Sequence, residues 1–330
     1  MVKDIKMAQW QFIFKLILIF FIMGLTMRGW RPSKPYTVTL SQEEKITAKN
    51  IEAIVTHIAG SFGARNYVYY EQLNKTADFI IQTFQDLGYT VKVMPYEMEG
   101  RRFRNIIAED SPRAFSEEVV IIGAHYDSCF NPGADDNASG VAGMLELARL
   151  LKGERLTSKV KFIAFVNEEP PFFMTERMGS RVYARQARTK GEKIRAAIIL
   201  EMLGFYSDKP FSQRYLPLLG LFYPHRADFI ALVGNFRTHA AVKAVHRYFK
   251  QHSDFPVEKI TAPDFIPGIN FSDHWSFWKE GYPAMMVTDT AFLRSPHYHR
   301  ETDLPGTLDY SRMAKMLYGL KQSIVEYANE

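Results

Sequence analysis

The sequence is short of cysteine: Cys129 stands alone among 330 residues. That excludes an intrachain disulfide framework and a zinc site built from cysteines, and it leaves the redox compartment open. There is also no block of basic residues. Lys and Arg are scattered through a chain of formal charge +5, which reads as a solvated surface and argues against a nucleic-acid partner. Internal repeats, low-complexity tracts and a second separate core pattern are absent too. What remains is an ordinary globular composition, 47% hydrophobic and 23% charged, with length enough for one large domain.

The N-terminus, "MVKDIKMAQWQFIFKLILIFFIMGLTMRGWRPSKP", holds an uninterrupted apolar run from Leu16 to Met27. Extended back to Ala8, it is long enough to span a bilayer, with Lys15 as a blemish. No A-x-A-like cleavage site follows. Residues 1–34 therefore read as an uncleaved signal anchor and linker, with residues 35–330 as an exported, periplasmic or extracellular catalytic domain. A cleaved signal peptide with a secreted product, or a buried first helix, are the alternatives. Lysines and arginines on both sides of the run leave orientation weakly set.

Beyond the linker, Ser41 with Glu44 three residues on starts a helix over 41–60, closed by Gly60. A second helix runs from Tyr70 to Leu87, and "TVKVMPYEM" and "RRFRNIIAED" form an edge hairpin about Glu99-Gly100. Strands then alternate with helices: "EVVIIGAHY", helix 140–151, "KVKFIAFVN", helix 179–190 and "IRAAIILEML". An irregular segment 204–234 follows, its aromatic residues suited to wall a substrate cleft. A helix 237–250, "PAMMVTD" and a helix 309–327 complete the chain. Continuously apolar strands separated by helices predict an α/β fold: a mixed, mostly parallel sheet between two helical layers.

In such sheets ligands bind beyond the carboxyl ends of the strands. His125 and Asp127 end the first core strand, Asp135 and Asp136 lie in the loop after it, Glu168 and Glu169 follow the next, Glu201 ends a third, and "SPHYHRETD" brings His297 and His299. Neither "HYDSCFNPGADDNASG" nor "VNEEPPFF" contains a Lys or Arg to neutralise these acids. Carboxylates so crowded repel one another unless a cation sits among them. Mixed imidazole and carboxylate donors suit zinc, with cobalt or manganese as substitutes.

In order along the chain, "GAHYDS", "GADDNASG", "NEE", "LEMLGFYS", "FSDHWSFWKEGYPAMMVTDT" and "PHYH" resemble the motifs of the co-catalytic zinc aminopeptidases, the clan MH peptidases, over about 118–327. The resemblance implies the zinc-dependent exopeptidase fold and two zinc ions. Asp135 would bridge them, with His125 and Glu201 completing one site and Glu169 and His299 the other. It implies Glu168 as general base, Tyr298 as oxyanion partner and a cis peptide between Asp135 and Asp136. Asp127, two residues beyond His125 on the same strand face, is placed to accept from its ring. Asp136 reads as structural, Ser139 as a helix N-cap, Asp273 as support for the pocket, His274 as structural and His297 as a surface residue. Glu201 stands where many relatives have Asp, and Asp303-Leu304 replaces the usual Asp-Thr. A peptide is the implied substrate; oligomeric state and chain polarity, amino or carboxyl, stay open. A single-zinc glutaminyl cyclase and a non-catalytic interaction domain are the competing readings.

Overall fold

A computed structural model describes residues 27–110 and 116–330, together with Lys15, Leu18 and Gly24. All but Leu18, Gly24 and Met27 of the apolar run read as an anchor lies outside the described residues; among those described, no helix is long and apolar enough to cross a membrane.

Eight strands form one sheet: β1 (Thr90–Met98), β2 (Arg101–Glu109), β3 (Val119–His125), β4 (Lys159–Phe165), β5 (Ile194–Glu201), β6 (Ile230–Gly234), β7 (Val257–Thr261) and β8 (Ala284–Thr288). Their order is β1-β2-β4-β3-β5-β8-β6-β7. The central run β4, β3, β5, β8 is parallel, while β1, β2 and the β6–β8 contact are antiparallel. Every residue of β3 is buried, as a strand covered on both faces must be. The edge strand β1 is mostly exposed or half-buried. Its turn into β2 places Glu99 and Gly100 at φ 52 and 73, the left-handed pair that suits a two-residue hairpin.

The helices are α1 (Gln42–Val55), α2 (Tyr70–Asp86), α3 (Gly140–Leu151), α4 (Gly179–Thr189), α5 (His239–His252), α6 (His274–Lys279) and α7 (Tyr310–Asn329). Helices α1, α2, α3, α5 and α7 contact one another in series, and α4 packs on α6, giving the expected helical layers. The α1 N-cap is a reciprocal box: Ser41 Oγ accepts from Glu44 N at 3.2 Å, and Glu44 Oε2 accepts from Ser41 N at 2.7 Å. Gly60 does not close that helix; the chain continues through a wider turn, Thr56–Phe62.

Two further differences from the sequence pattern stand out. The supposedly irregular 204–234 contains β6, and β7 and α6 were not anticipated. Among the described residues, 207–228 form a compact unit with 27–37, and 38–206 with 229–330 form another. Within the smaller unit Trp30 N donates to Gly220 O at 2.8 Å and Tyr215 Oη to Pro224 O at 2.7 Å. Finally, Ser139 does not cap α3. Its own backbone is already helical, and Asn137 Oδ1 accepts from Gly140 N at 3.0 Å instead.

Candidate metal centre

His125, Glu168, Glu169 and Glu201 are delivered by the carboxyl ends of three adjacent parallel strands, β4, β3 and β5. His299 arrives from the loop after β8, with its backbone at φ 55. Glu201 ends β5, and Glu168 and Glu169 lie in the buried turn just beyond β4, so the carboxylates meet one another rather than solvent. His125, Glu168, Glu169 and Glu201 are all at most 7% exposed.

Between the imidazoles stands Asp136, not Asp135. Asp136 Oδ1 lies 3.4 Å from His125 Nε2, and Oδ2 lies 3.1 Å from His299 Nε2. Glu201 Oε2 faces His125 Nε2 at 3.3 Å, and Glu169 Oε2 faces His299 Nε2 at 3.3 Å. Donor atoms of His125, Asp136 and Glu201 form one group close enough to share a cation; Glu169 and His299 belong to another. The carboxylate expected between the imidazoles from Asp135 is thus that of Asp136, and the cis peptide joins Asp136 to Asn137 rather than Asp135 to Asp136. The reason is that adjacent side chains at a turn point apart. Asp135 turns into the protein, where Oδ1 accepts from Gly204 N at 2.8 Å. Both peptide N–H groups of the pair are claimed by Asp303: Asp135 N by Oδ1 at 2.8 Å and Asp136 N by Oδ2 at 3.1 Å.

Asp127 serves more than His125. Its Oδ1 lies 3.6 Å from His125 Nδ1, longer than a hydrogen bond. Its two oxygens accept from Glu168 N at 3.1 Å and Glu169 N at 3.0 Å. One carboxylate therefore fixes the peptides of both glutamates. Glu168 Oε2 reaches to 4.0 Å from His125 Nε2 but belongs to neither donor group. Ser272 Oγ donates to Glu201 Oε2 at 2.7 Å. Tyr298 stacks on His299, ring centroids 3.9 Å apart at 18°. His297 sits apart, with Nδ1 3.0 Å from Thr302 Oγ1. His274 bonds Ile269 O through Nε2 at 2.7 Å, and burial lowers it to about 4. Asp273 is fully buried, and burial pushes it up to about 7 despite His125 nearby.

One cation that does reach this crowd was not foreseen. Arg65, wholly buried between α1 and α2, donates to Tyr126 O at 2.8 Å, Gly133 O at 2.8 Å, Gly63 O at 3.2 Å and Pro132 O at 2.5 Å. It braces the loop that carries Asp136. Burial pulls its guanidinium down to about 10, while Asp303, Asp127, Asp136 and Glu169 pull it upward. The lone Arg in "SFGARNY" was a faint signal. So was Asp303, which follows the last motif and lies outside the expected ligand set.

The acids remain under-neutralised. Burial lifts Glu169 to about 8, with Asp136 adding to the rise and His299 opposing it. Burial also drives Glu168 well above the ordinary range, and Glu201 adds to the effect. Burial disfavours a charged His125, yet Glu201 and Glu168 hold its proton affinity well above the usual value. Glu169 Oε1 has no hydrogen-bond partner although it is buried. Buried carboxylate and imidazole lone pairs crowded together are what divalent cations satisfy. The residues present fit zinc.

A sequence model described as Peptidase family M28 matches residues 105–322. Among curated proteins, an uncharacterized protein of Escherichia coli (strain K12), YfbL, is 36% identical over 320 residues, with 94% of this chain and 96% of that protein covered. A probable leucine aminopeptidase of Arthroderma otae is 28% identical over 232 residues, covering 65% of this chain and 55% of its own length, so the chain spans about half of that relative. Among solved structures, a zinc aminopeptidase from Bacillus subtilis superposes with TM-score 0.70 at 15% identity, over 86% of this chain and 95% of that one. A glutaminyl cyclase from Porphyromonas gingivalis reaches TM-score 0.62 at 19% identity, over 85% and 97%. These structural likenesses share the α/β/α fold described above.

Proposed function

Because the chain belongs to peptidase family M28, and is a metal-dependent aminopeptidase by that kinship, we propose that Asp136 joins two cation sites and that Glu168 is the general base of peptide hydrolysis. The observation that carries this reading is the Asp136 carboxylate, with one oxygen toward each imidazole at 3.4 and 3.1 Å. His125 and Glu201 would hold one zinc ion, and Glu169 and His299 the other, with Asp136 common to both. Cations bound there would polarise the scissile carbonyl and acidify a water molecule.

The protein supplies the proton traffic. Glu168 is aimed at the cluster while its neighbour Glu169 faces His299, because consecutive side chains diverge. With its peptide N–H held by Asp127 at 3.1 Å, Glu168 keeps its carboxylate at a fixed place. It takes a proton from the attacking water and gives it to the departing amine. Tyr298, stacked on His299, is proposed to donate to the oxyanion. The substrate is a peptide with a free N-terminus, and the hydrophobic run Leu16 to Met27 is proposed as the tether of an exported enzyme. Membrane fractions that retain the full chain but release a chain begun at residue 35 would support the tether; identical partitioning of both would reject it.

The enzymatic test uses purified protein loaded with zinc or cobalt on aminoacyl p-nitroanilides. Glu168→Gln should lower kcat by about 10²–10⁴-fold with unchanged metal content; undiminished turnover would reject the base assignment. Cleavage of peptides with blocked N-termini would reverse the assigned polarity. A protein that holds one ion tightly and never admits a second would instead fit a cyclase.

A further inference from the structure

Cys129 lies in the loop between His125 and Asp136, and it is half-buried. Its Sγ, a carboxylate oxygen of Glu169 and a ring nitrogen of His299 all lie within 4.8 Å of one another. Two observations distinguish this thiol from a stray cysteine. Glu169 is 3% exposed, its Oε2 faces His299 Nε2 at 3.3 Å and its Oε1 has no hydrogen-bond partner, so a buried carboxylate of the same cluster is left only partly satisfied. The backbone that presents Cys129 is also pinned. Ser128 N donates to Arg65 O at 2.9 Å, Asn66 Nδ2 to Ser128 O at 2.9 Å, and Ser128 Oγ to Asn131 O at 2.8 Å. The chain on both sides of the cysteine is therefore held by bonds that do not involve its side chain.

We propose that Cys129 is a protein ligand of the cation held by Glu169 and His299, giving that end of the centre a sulfur donor. The proposal rests on the metal-dependent reading above and extends it. A single cysteine rules out a site made of cysteines, yet it can complete a mixed one. The two ends then differ in chemistry. His125, Asp136 and Glu201 offer only nitrogen and oxygen, which tolerate several divalent metals. Cys129, Glu169 and His299 add a soft thiolate, which favours zinc over manganese or magnesium. Selectivity for zinc therefore resides at the His299 end, and sequential loading should fill that end first.

Cobalt reports the sulfur directly, because a thiolate bound to Co²⁺ gives a near-ultraviolet charge-transfer band that oxygen and nitrogen ligands lack. The whole chain loaded with cobalt should show this band, Cys129→Ser should lose it, and zinc affinity at that end should fall by about 10- to 100-fold. Should the variant fold poorly, alkylation of the native chain by iodoacetamide gives the second measurement. Saturating zinc should slow modification of Cys129 by at least about tenfold. Two bound cobalt ions without a sulfur band, or an alkylation rate indifferent to zinc, would overturn this proposal and leave the peptidase reading standing. Failure to bind cobalt or zinc at all would overturn both.

Discussion

At the scale of single residues, the site turns on which of two adjacent aspartates faces the imidazoles. Asp135 Oδ1 is occupied by Gly204 N, an acceptor role that an asparagine oxygen can fill, whereas Asp136 presents one oxygen to each histidine. Asp136→Asn should therefore weaken cation binding by more than about 100-fold, and Asp135→Asn by less than about tenfold, as read by metal content after dialysis and by calorimetric titration. Equal losses would show that both carboxylates serve the cations. Tyr298→Phe keeps the stack on His299 and removes only the hydroxyl. If that hydroxyl donates to the oxyanion, kcat should fall by about 10²–10³-fold with KM little changed; a KM effect alone would make Tyr298 part of the substrate wall.

At the scale of elements, the cluster exists because strand ends and loops are braced from outside their own neighbourhoods. Arg65 holds the loop of Pro132 and Gly133 by its guanidinium. At Gly133 φ is +57, and a Cβ would stand 2.3 Å from Asp136 O; the loop is tight enough to need glycine there. Arg65→Met would strand several buried carbonyl acceptors and delete a positive charge beside Asp303 and Asp127. The expected cost is about 3–5 kcal/mol in denaturant unfolding of the metal-free protein. A loss below about 1 kcal/mol would show that water replaces the guanidinium. Regular elements were readable from pattern: the box at Ser41, the hairpin at Glu99-Gly100 and the apolar strands of the parallel core each carry a local signal. Strands β6 and β7 did not stand out. "IALVG" lies inside a long aromatic stretch, and "VEKIT" has only five residues of weak alternation; both are strands because a neighbour in the sheet offers a ladder.

At the scale of the molecule, the folded chain gathers acids whose mutual repulsion opposes folding until cations arrive. Ligand binding to the native state alone adds RT ln(1 + [L]/Kd), about 2.7 kcal/mol per site at a hundredfold excess over Kd. For a chain of this size that corresponds to a rise in Tm of about 5 °C per site, at about 2 °C per kcal/mol. Chelation should reverse the rise, and zinc should restore it in calorimetry. An unchanged Tm would mean that the cluster is stable without cations and would remove the electrostatic reason for placing them there.

By itself the sequence determined the α/β/α architecture, the emergence of the acids at strand ends and the family. Those follow from local periodicity and from short motifs, which survive without knowledge of distant contacts. Tertiary structure alone decided the partners. The contact that claims the backbone of Asp135 comes from Asp303, 168 positions away, and the one that turns its carboxylate inward comes from Gly204, 69 positions away. Two neighbouring aspartates are equivalent in a string of letters. They become different only when remote hydrogen bonds fix the direction of the turn between them.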